Sequence, residues 1–181
     1  MVSRRNMLKT GLTAVFGACA VQTASASEVQ QKSQNNFDVV ILGVGTGGLV
    51  TAIEAADLGL KPVVLEKMEC SAGNSLYASG GIAAWGTSQQ KEEGRNETKE
   101  SFREDMMKVS EYRADPALVG AYVNHIPEDF EWLKKQGVKF SKIGKKPWPL
   151  NYRMHNVDGQ GLTGGARLVR YLLEACEKRN I

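Results

Sequence analysis

The stretch from Phe37 to Glu66 constrains the fold more than any other part of this chain. An apolar run, Phe37-Asp38-Val39-Val40-Ile41-Leu42, leads directly into Gly43-Val44-Gly45-Thr46-Gly47-Gly48, so a G-x-G-x-x-G spacing falls where a strand must turn into a helix. Leu49 to Leu58 continues with a helical pattern, Gly59 ends it, and Lys61-Pro62-Val63-Val64-Leu65 forms a second strand with Glu66 at its C-terminal end. This is the order of a dinucleotide-binding βαβ unit. Gly43 permits the tight turn, Gly45 leaves room for a pyrophosphate against bare backbone, and Gly48 lets the helix pack close to the strand. The phosphate sits on free amides at the positive end of the helix dipole, and the Glu66 carboxylate is placed to accept hydrogen bonds from ribose hydroxyls. The expected fold class is α/β: a Rossmann-like, doubly wound, mainly parallel sheet with helices.

Residues 1–26 read as an export signal and are set aside from fold reasoning. Ser3-Arg4-Arg5-Asn6-Met7-Leu8-Lys9 is close to the twin-arginine pattern, the apolar stretch Leu12 to Val21 is too short to span a bilayer, and Ala24-Ser25-Ala26 offers a cleavage site. Cys19 opens a lipoprotein alternative, which Phe16 fits poorly. The expected product is periplasmic, without a stable membrane anchor, and starts near Ser27. The twin-arginine route carries folded proteins already loaded with cofactor. Residues 27–36 are a polar linker, and residues 37–181 form the domain.

The formal charge of +3 includes Arg4, Arg5 and Lys9 of the signal, so the remainder is near neutrality and no nucleic-acid partner is expected. Cys70 and Cys176 lack C-x-x-C spacing, which leaves no zinc or haem-attachment motif; they are either a disulfide or free thiols. Small residues recur in Ser71-Ala72-Gly73-Asn74-Ser75 and Ala78-Ser79-Gly80-Gly81, as ordinary loops or as backbone passing close to a flat ring or diphosphate. Thr98 to Met107 reads as a polar-faced helix. Asp115-Pro116 starts another over Ala117 to Ile126, Pro127 begins a new segment, and Gly137 stops it. Phe130, Trp132 and Leu133 are core candidates, and His125 reads as a packing or surface residue. Lys142 to Leu150 is a basic loop, solvated or covering one side of a cofactor. His155 is followed by a glycine-rich turn, and a last helix beginning near Thr163 places Leu168, Leu172 and Cys176 on one stripe. Thr163 and Gly164 lie at its N-terminus, where amides meet an anion or a ring edge.

Together, the glycine turn, Leu65-Glu66-Lys67, Gly73-Asn74-Ser75, Ala78-Ser79-Gly80-Gly81 and the glycine-rich turn before the last helix resemble the FAD-binding domain of the fumarate reductase/succinate dehydrogenase flavoprotein family. The resemblance is nearest to the soluble periplasmic fumarate reductases of flavocytochrome c type. It implies that Gly43, Gly45, Thr46, Gly47 and Gly48 contact the FAD pyrophosphate and that Glu66 contacts the adenosine ribose. It places Lys67, Asn74 and Ser75 along the diphosphate and ribityl chain and Gly80 and Gly81 beside the isoalloxazine ring, with Ala78 and Ser79 also among the cofactor-binding residues. Ala72 stands where the family usually has a glycine. Asn74 stands where membrane-bound members carry the histidine that tethers FAD, so the resemblance implies non-covalent FAD.

The same resemblance implies a dicarboxylate-like substrate such as fumarate. With no C-x-x-C-H in the chain, it also implies a separate electron donor such as a c-type cytochrome. A doubly wound domain needs further strands after Ile181, so the chain is expected to be an N-terminal part of a longer protein, with natural truncation as the alternative. The family's catalytic arginine and histidines are expected beyond Ile181, and no catalytic residue is assigned. A ketosteroid dehydrogenase-like flavoenzyme and a non-catalytic flavin-binding module are the other two readings.

Overall fold

The computed structural model describes residues 36–69, 73–149, 152–160 and 162–181. The segment expected to be an export signal, nearly all of the expected linker, Cys70, Ser71, Ala72, Leu150, Asn151 and Gly161 lie outside the described residues. Strand β1 (Val39–Leu42) runs through the glycine turn into helix α1 (Thr46–Asp57), and β2 (Pro62–Leu65) returns beside β1. The two strands pair in parallel, Val39 opposite Pro62 and Leu42 opposite Leu65. Helix α1 ends as the sequence indicates, with Gly59 at φ +83°, a conformation costly for any residue with a Cβ.

A short 3-10 helix (Gly73–Tyr77) leads to β3 (Gly81–Ala83), followed by helices α2 (Ser88–Glu92), α3 (Lys99–Val109) and α4 (Pro116–Lys135). Strand β4 (Met154–Asn156) pairs antiparallel with β3, Gly81 opposite Asn156, and α5 (Gly164–Glu177) closes the order. The parallel pair is the one expected from the sequence. The antiparallel pair is an addition that local pattern did not reveal.

One core joins the first βαβ unit to the last helix: Ile41, Leu49, Ala52 and Ile53 pack on Val169, Leu172, Ala175 and Cys176. The helical stripe expected for α5 is therefore its buried face, with Leu168 at the margin. Among the described residues Cys176 is a free, buried thiol, and burial pushes its pKa up; Cys70 lies outside them. A second core gathers Ala84, Phe102, Met107, Val119, Val123 and Ile126 between α3, α4 and the end of β3. Phe130 is fully buried, Trp132 and Leu133 flank the first core, and His125 is exposed.

Helix α4 corrects the sequence reading, because it runs unbroken through Pro127 instead of restarting there. A proline within a helix removes the hydrogen bond to the carbonyl four residues earlier, here Val123. The Trp85 indole Nε1 donates to that carbonyl at 2.8 Å, replacing the lost partner from outside the helix. A tertiary contact thus satisfies what local sequence left open.

Candidate functional site

The glycine turn, the end of β2 and the 3-10 helix converge on the N-terminus of α1. Gly43 adopts φ +99°, and its amide continues the strand ladder to the Leu65 carbonyl at 2.7 Å. A methyl group at Gly48 would lie 2.1 Å from the Gly43 carbonyl oxygen, so glycine there is what lets α1 approach its own turn. Gly45 and Gly47 are different. A Cβ on Gly45 would make only an ordinary 3.7 Å contact with Ser75 Oγ, and one on Gly47 would meet nothing within 4 Å. Neither has a positive φ. The protein's own packing does not require glycine at these two positions, which leaves bare backbone open to the approach of a ligand.

Charge points the same way. Thr87, Thr98, Asp115 and Thr163 cap α2, α3, α4 and α5 through their side chains, whereas α1 starts at Gly45 with no side-chain cap and no acid in its first turn. Of its first amides, that of Thr46 donates to Ser75 Oγ at 3.1 Å, which docks the 3-10 helix on α1. A helix start with no N-cap side chain and no acid, where a neutral hydroxyl takes one amide, is where an anion gains most.

Glu66 lies at this turn and does more than the sequence indicated. Its Oε2 accepts the Val44 amide at 2.9 Å, and its Oε1 accepts the amides of Lys67 at 2.8 Å and Met68 at 3.0 Å. The hydrogen bonds from Val44 and Met68 hold the carboxyl below the ordinary glutamate value, so it is ionised and fixed in orientation at neutral pH. The carboxylate therefore ties the glycine turn to the end of β2, and its remaining lone pairs stay available to hydroxyl donors.

The second group of expected residues forms a backbone junction. Gly80 is buried at φ +76°, and a Cβ there would fall 2.2 Å from the Gly164 backbone. Conversely, a Cβ on Gly164 would lie 1.9 Å from the Ser79 carbonyl oxygen, and one on Gly165 would lie 2.1 Å from that of Ser75. The Gly165 amide donates to the Ala78 carbonyl at 2.9 Å, and Thr163 Oγ1 donates to the Leu76 carbonyl at 2.7 Å while capping its own helix. Thr163 and Gly164 thus make protein contacts that seat α5 on the 75–80 backbone. Gly81 sits in β3 against Met154 and Asn156, whereas Lys67, Asn74, Ala78 and Ser79 are exposed around the rim.

His155 is buried inside this scaffold, 0% exposed, between Thr87 Oγ1 (2.9 Å from Nε2) and the Arg153 carbonyl (2.8 Å from Nδ1). With a carbonyl beside it, Nδ1 carries the proton, and Nε2 accepts from the Thr87 hydroxyl. Burial pushes its pKa down, so the ring is a neutral tie between β4 and the start of α2. Thr87 and Gln90 complete a capping box. Their T-x-x-Q spacing was a readable signal that sequence reasoning passed over.

The model of the FAD binding domain family matches residues 38–179. The chain belongs to this family. It is 35% identical over 147 residues to a fumarate reductase (cytochrome) of Shewanella frigidimarina, covering 81% of this chain and 26% of that relative. The chain thus spans about a quarter of the relative's length. The open conformation of a flavocytochrome c3 fumarate reductase superimposes with a TM-score of 0.68 at 27% identity, covering 80% of this chain and 26% of that one. A 3-ketosteroid-Δ4-(5α)-dehydrogenase from Rhodococcus jostii RHA1 gives a TM-score of 0.72 at 25% identity, covering 83% and 38% respectively. FAD is thus the cofactor of this domain. The uncapped α1, the two glycines the protein does not itself need and the ionised Glu66 fit a ribose and a pyrophosphate. Among the described residues no helix is long and apolar enough to cross a membrane.

Proposed function

We propose that this FAD-binding domain belongs to an exported, periplasmic reductase of α,β-unsaturated acids such as fumarate. The similarity to a fumarate reductase along most of the chain carries the reading. When bound, reduced FAD supplies the hydride that reduces the substrate double bond. The chain's own part is to bind and orient: the α1 amides hold the pyrophosphate, Glu66 holds the adenosine ribose, and the Gly80–Gly81 backbone borders the ring. Asn74 offers a carboxamide, which forms no covalent tether, so FAD is held non-covalently. Electrons come from a separate redox protein.

In the full-length protein, reduced methyl viologen is expected to be oxidised when fumarate or a related unsaturated acid is added without oxygen. Dehydrogenation of a 3-ketosteroid with an artificial acceptor, and no turnover of unsaturated acids, would instead establish the second reading, which the steroid dehydrogenase's fold similarity favours. Glu66→Gln tests the site. An amide presents an NH2 group where one carboxylate oxygen stood, so either the Val44 amide or those of Lys67 and Met68 would face a donor. Flavin retention is expected to fall roughly tenfold. Full retention would remove Glu66 from the site.

A further inference from the structure

No acidic residue occurs between Glu131 and Asp158, while Lys139, Lys142, Lys145 and Lys146 crowd into eight positions and are all exposed. Among the described residues none of these four has a carboxylate within 4 Å, although Lys108 and Lys134 on the neighbouring helices do. The two acids that touch this loop are both engaged elsewhere than on its lysines: Glu93 directs Oε1 onto the Ile143 amide at 3.1 Å, and Asp105 accepts from the Trp148 indole.

The loop is also held in shape. Ile143 is buried beneath it, the Ser141 amide donates to the Asn156 carbonyl at 3.0 Å, and the Trp148 indole donates to Asp105 at 3.0 Å while the side chain stays 57% exposed. A preformed surface that sets an exposed tryptophan among steering charges offers an aromatic anchor with a charged rim. Its position matters as much. The Val157 amide donates to the Gly80 carbonyl at 2.9 Å, and Val157 bridges Phe140 at the root of the loop. Two strand spacings, about 10 Å, therefore separate the loop root from the Gly80 backbone.

We propose that the Lys139–Trp148 loop is the docking surface for an acidic electron-transfer protein that reduces the flavin. This rests on the flavin reading above. An anionic membrane or a nucleic acid would account for the charge but not for its placement beside the Gly80–Gly81 edge. A donor seated there approaches a ring at that edge from the side of the loop root. Two one-electron transfers, with one proton taken from solvent, leave two oxidised donor molecules and a flavin reduced to its anionic hydroquinone. The lysines steer encounter, so they act on the association rate and its salt dependence.

The test uses full-length holoenzyme and the triple variant K142E/K145E/K146E, whose changes are all on exposed side chains. Flavin reduction is followed with a dithionite-reduced, desalted acidic c-type cytochrome and, separately, with reduced methyl viologen. The second-order rate with the cytochrome is expected to fall about tenfold as salt rises from roughly 20 to 300 mM. At low salt the variant is expected to be about tenfold slower, with its salt dependence lost and its viologen rate unchanged. Calorimetric binding of the oxidised cytochrome reads the surface independently of turnover. Lysine-dependent binding by a protein that viologen cannot reduce would sink the flavin reading and leave the docking surface standing. An unchanged cytochrome rate in the variant overturns the docking proposal, as does lysine-dependent binding to phosphatidylserine vesicles without any effect on cytochrome reduction.

Discussion

Gly165→Ala and Gly164→Ala are expected to destabilise the protein by about 3 kcal/mol or more each, with loss of soluble yield. The added methyl would stand 2.1 Å from the Ser75 carbonyl oxygen in the first case and 1.9 Å from the Ser79 carbonyl oxygen in the second. Both obstacles are backbone, which cannot rotate aside as a side chain can. Relief requires α5 to move off the 75–80 segment, and α5 supplies half of the first core through Val169, Leu172, Ala175 and Cys176. Gly47→Ala is the matching control, since its methyl meets no protein atom. It is expected to fold normally and to show its effect in flavin binding alone. A soluble Gly165→Ala protein with unchanged urea midpoint would refute the tight helix-on-backbone junction.

Arg153→Met is the second large effect. The Arg153 guanidinium is 3% exposed and forks between Glu97 and Asp105, each at 2.7 Å, with further bonds to the Pro149 carbonyl at 2.8 Å and Ser101 Oγ at 3.1 Å. It clamps the approach to β4 onto α3. Removing Arg153 leaves two largely buried carboxylates without the guanidinium that joins them, which costs about 3–5 kcal/mol.

The pH dependence has a definite sign. Burial alone would push the Asp105 carboxyl up, but hydrogen bonds from Trp148 and Arg153 outweigh it and hold the carboxyl below its ordinary 3.8. Its contribution is therefore fully present above pH 3.8 and is lost as the pH falls through the depressed folded value. Wild-type protein should lose this increment in that acid window, and Arg153→Met, which keeps only the Trp148 hydrogen bond and the nearby Lys108 charge, should lose less of it. Equal urea midpoints for both proteins at neutral pH would show that the clamp contributes nothing.

The first βαβ unit was legible because its signals are local: an apolar strand run, glycines at fixed spacing, a helix stop at Gly59 and an acid closing the second strand. The start of α4 at Asp115-Pro116 and that of α5 at Thr163 were legible for the same reason. What escaped depended on distant partners. Strands β3 and β4 have only three residues each and find one another across the whole helical region, so neither carries a pattern of its own. Pro127 gave a correct local warning that the Trp85 indole cancels. Glu66 was placed correctly at the end of β2, but its hold on the Val44 amide is a property of the closed turn. Residues expected beside a cofactor divide in the same way: Gly45 and Gly47 are free of protein constraint, whereas Gly48, Gly80 and Gly164 are required by packing of the chain on itself.

One face of the β1–β2 sheet shows what else the fold asks for. Val40, Leu42 and Leu65 are 58%, 81% and 52% exposed, all on the side away from α1 and α5. Parallel sheets are normally covered on both faces. Assays of cofactor binding therefore belong on the full-length protein.

The central claim is that this domain binds FAD without a covalent link, through the uncapped start of α1 and the ionised Glu66. Acid precipitation of the purified full-length protein, followed by chromatography of the supernatant, tests it most directly. Non-covalent binding predicts a yellow protein that releases FAD into the supernatant at close to one per chain and leaves a colourless pellet. Flavin retained in the pellet, or a protein that carries no flavin at all, would contradict it.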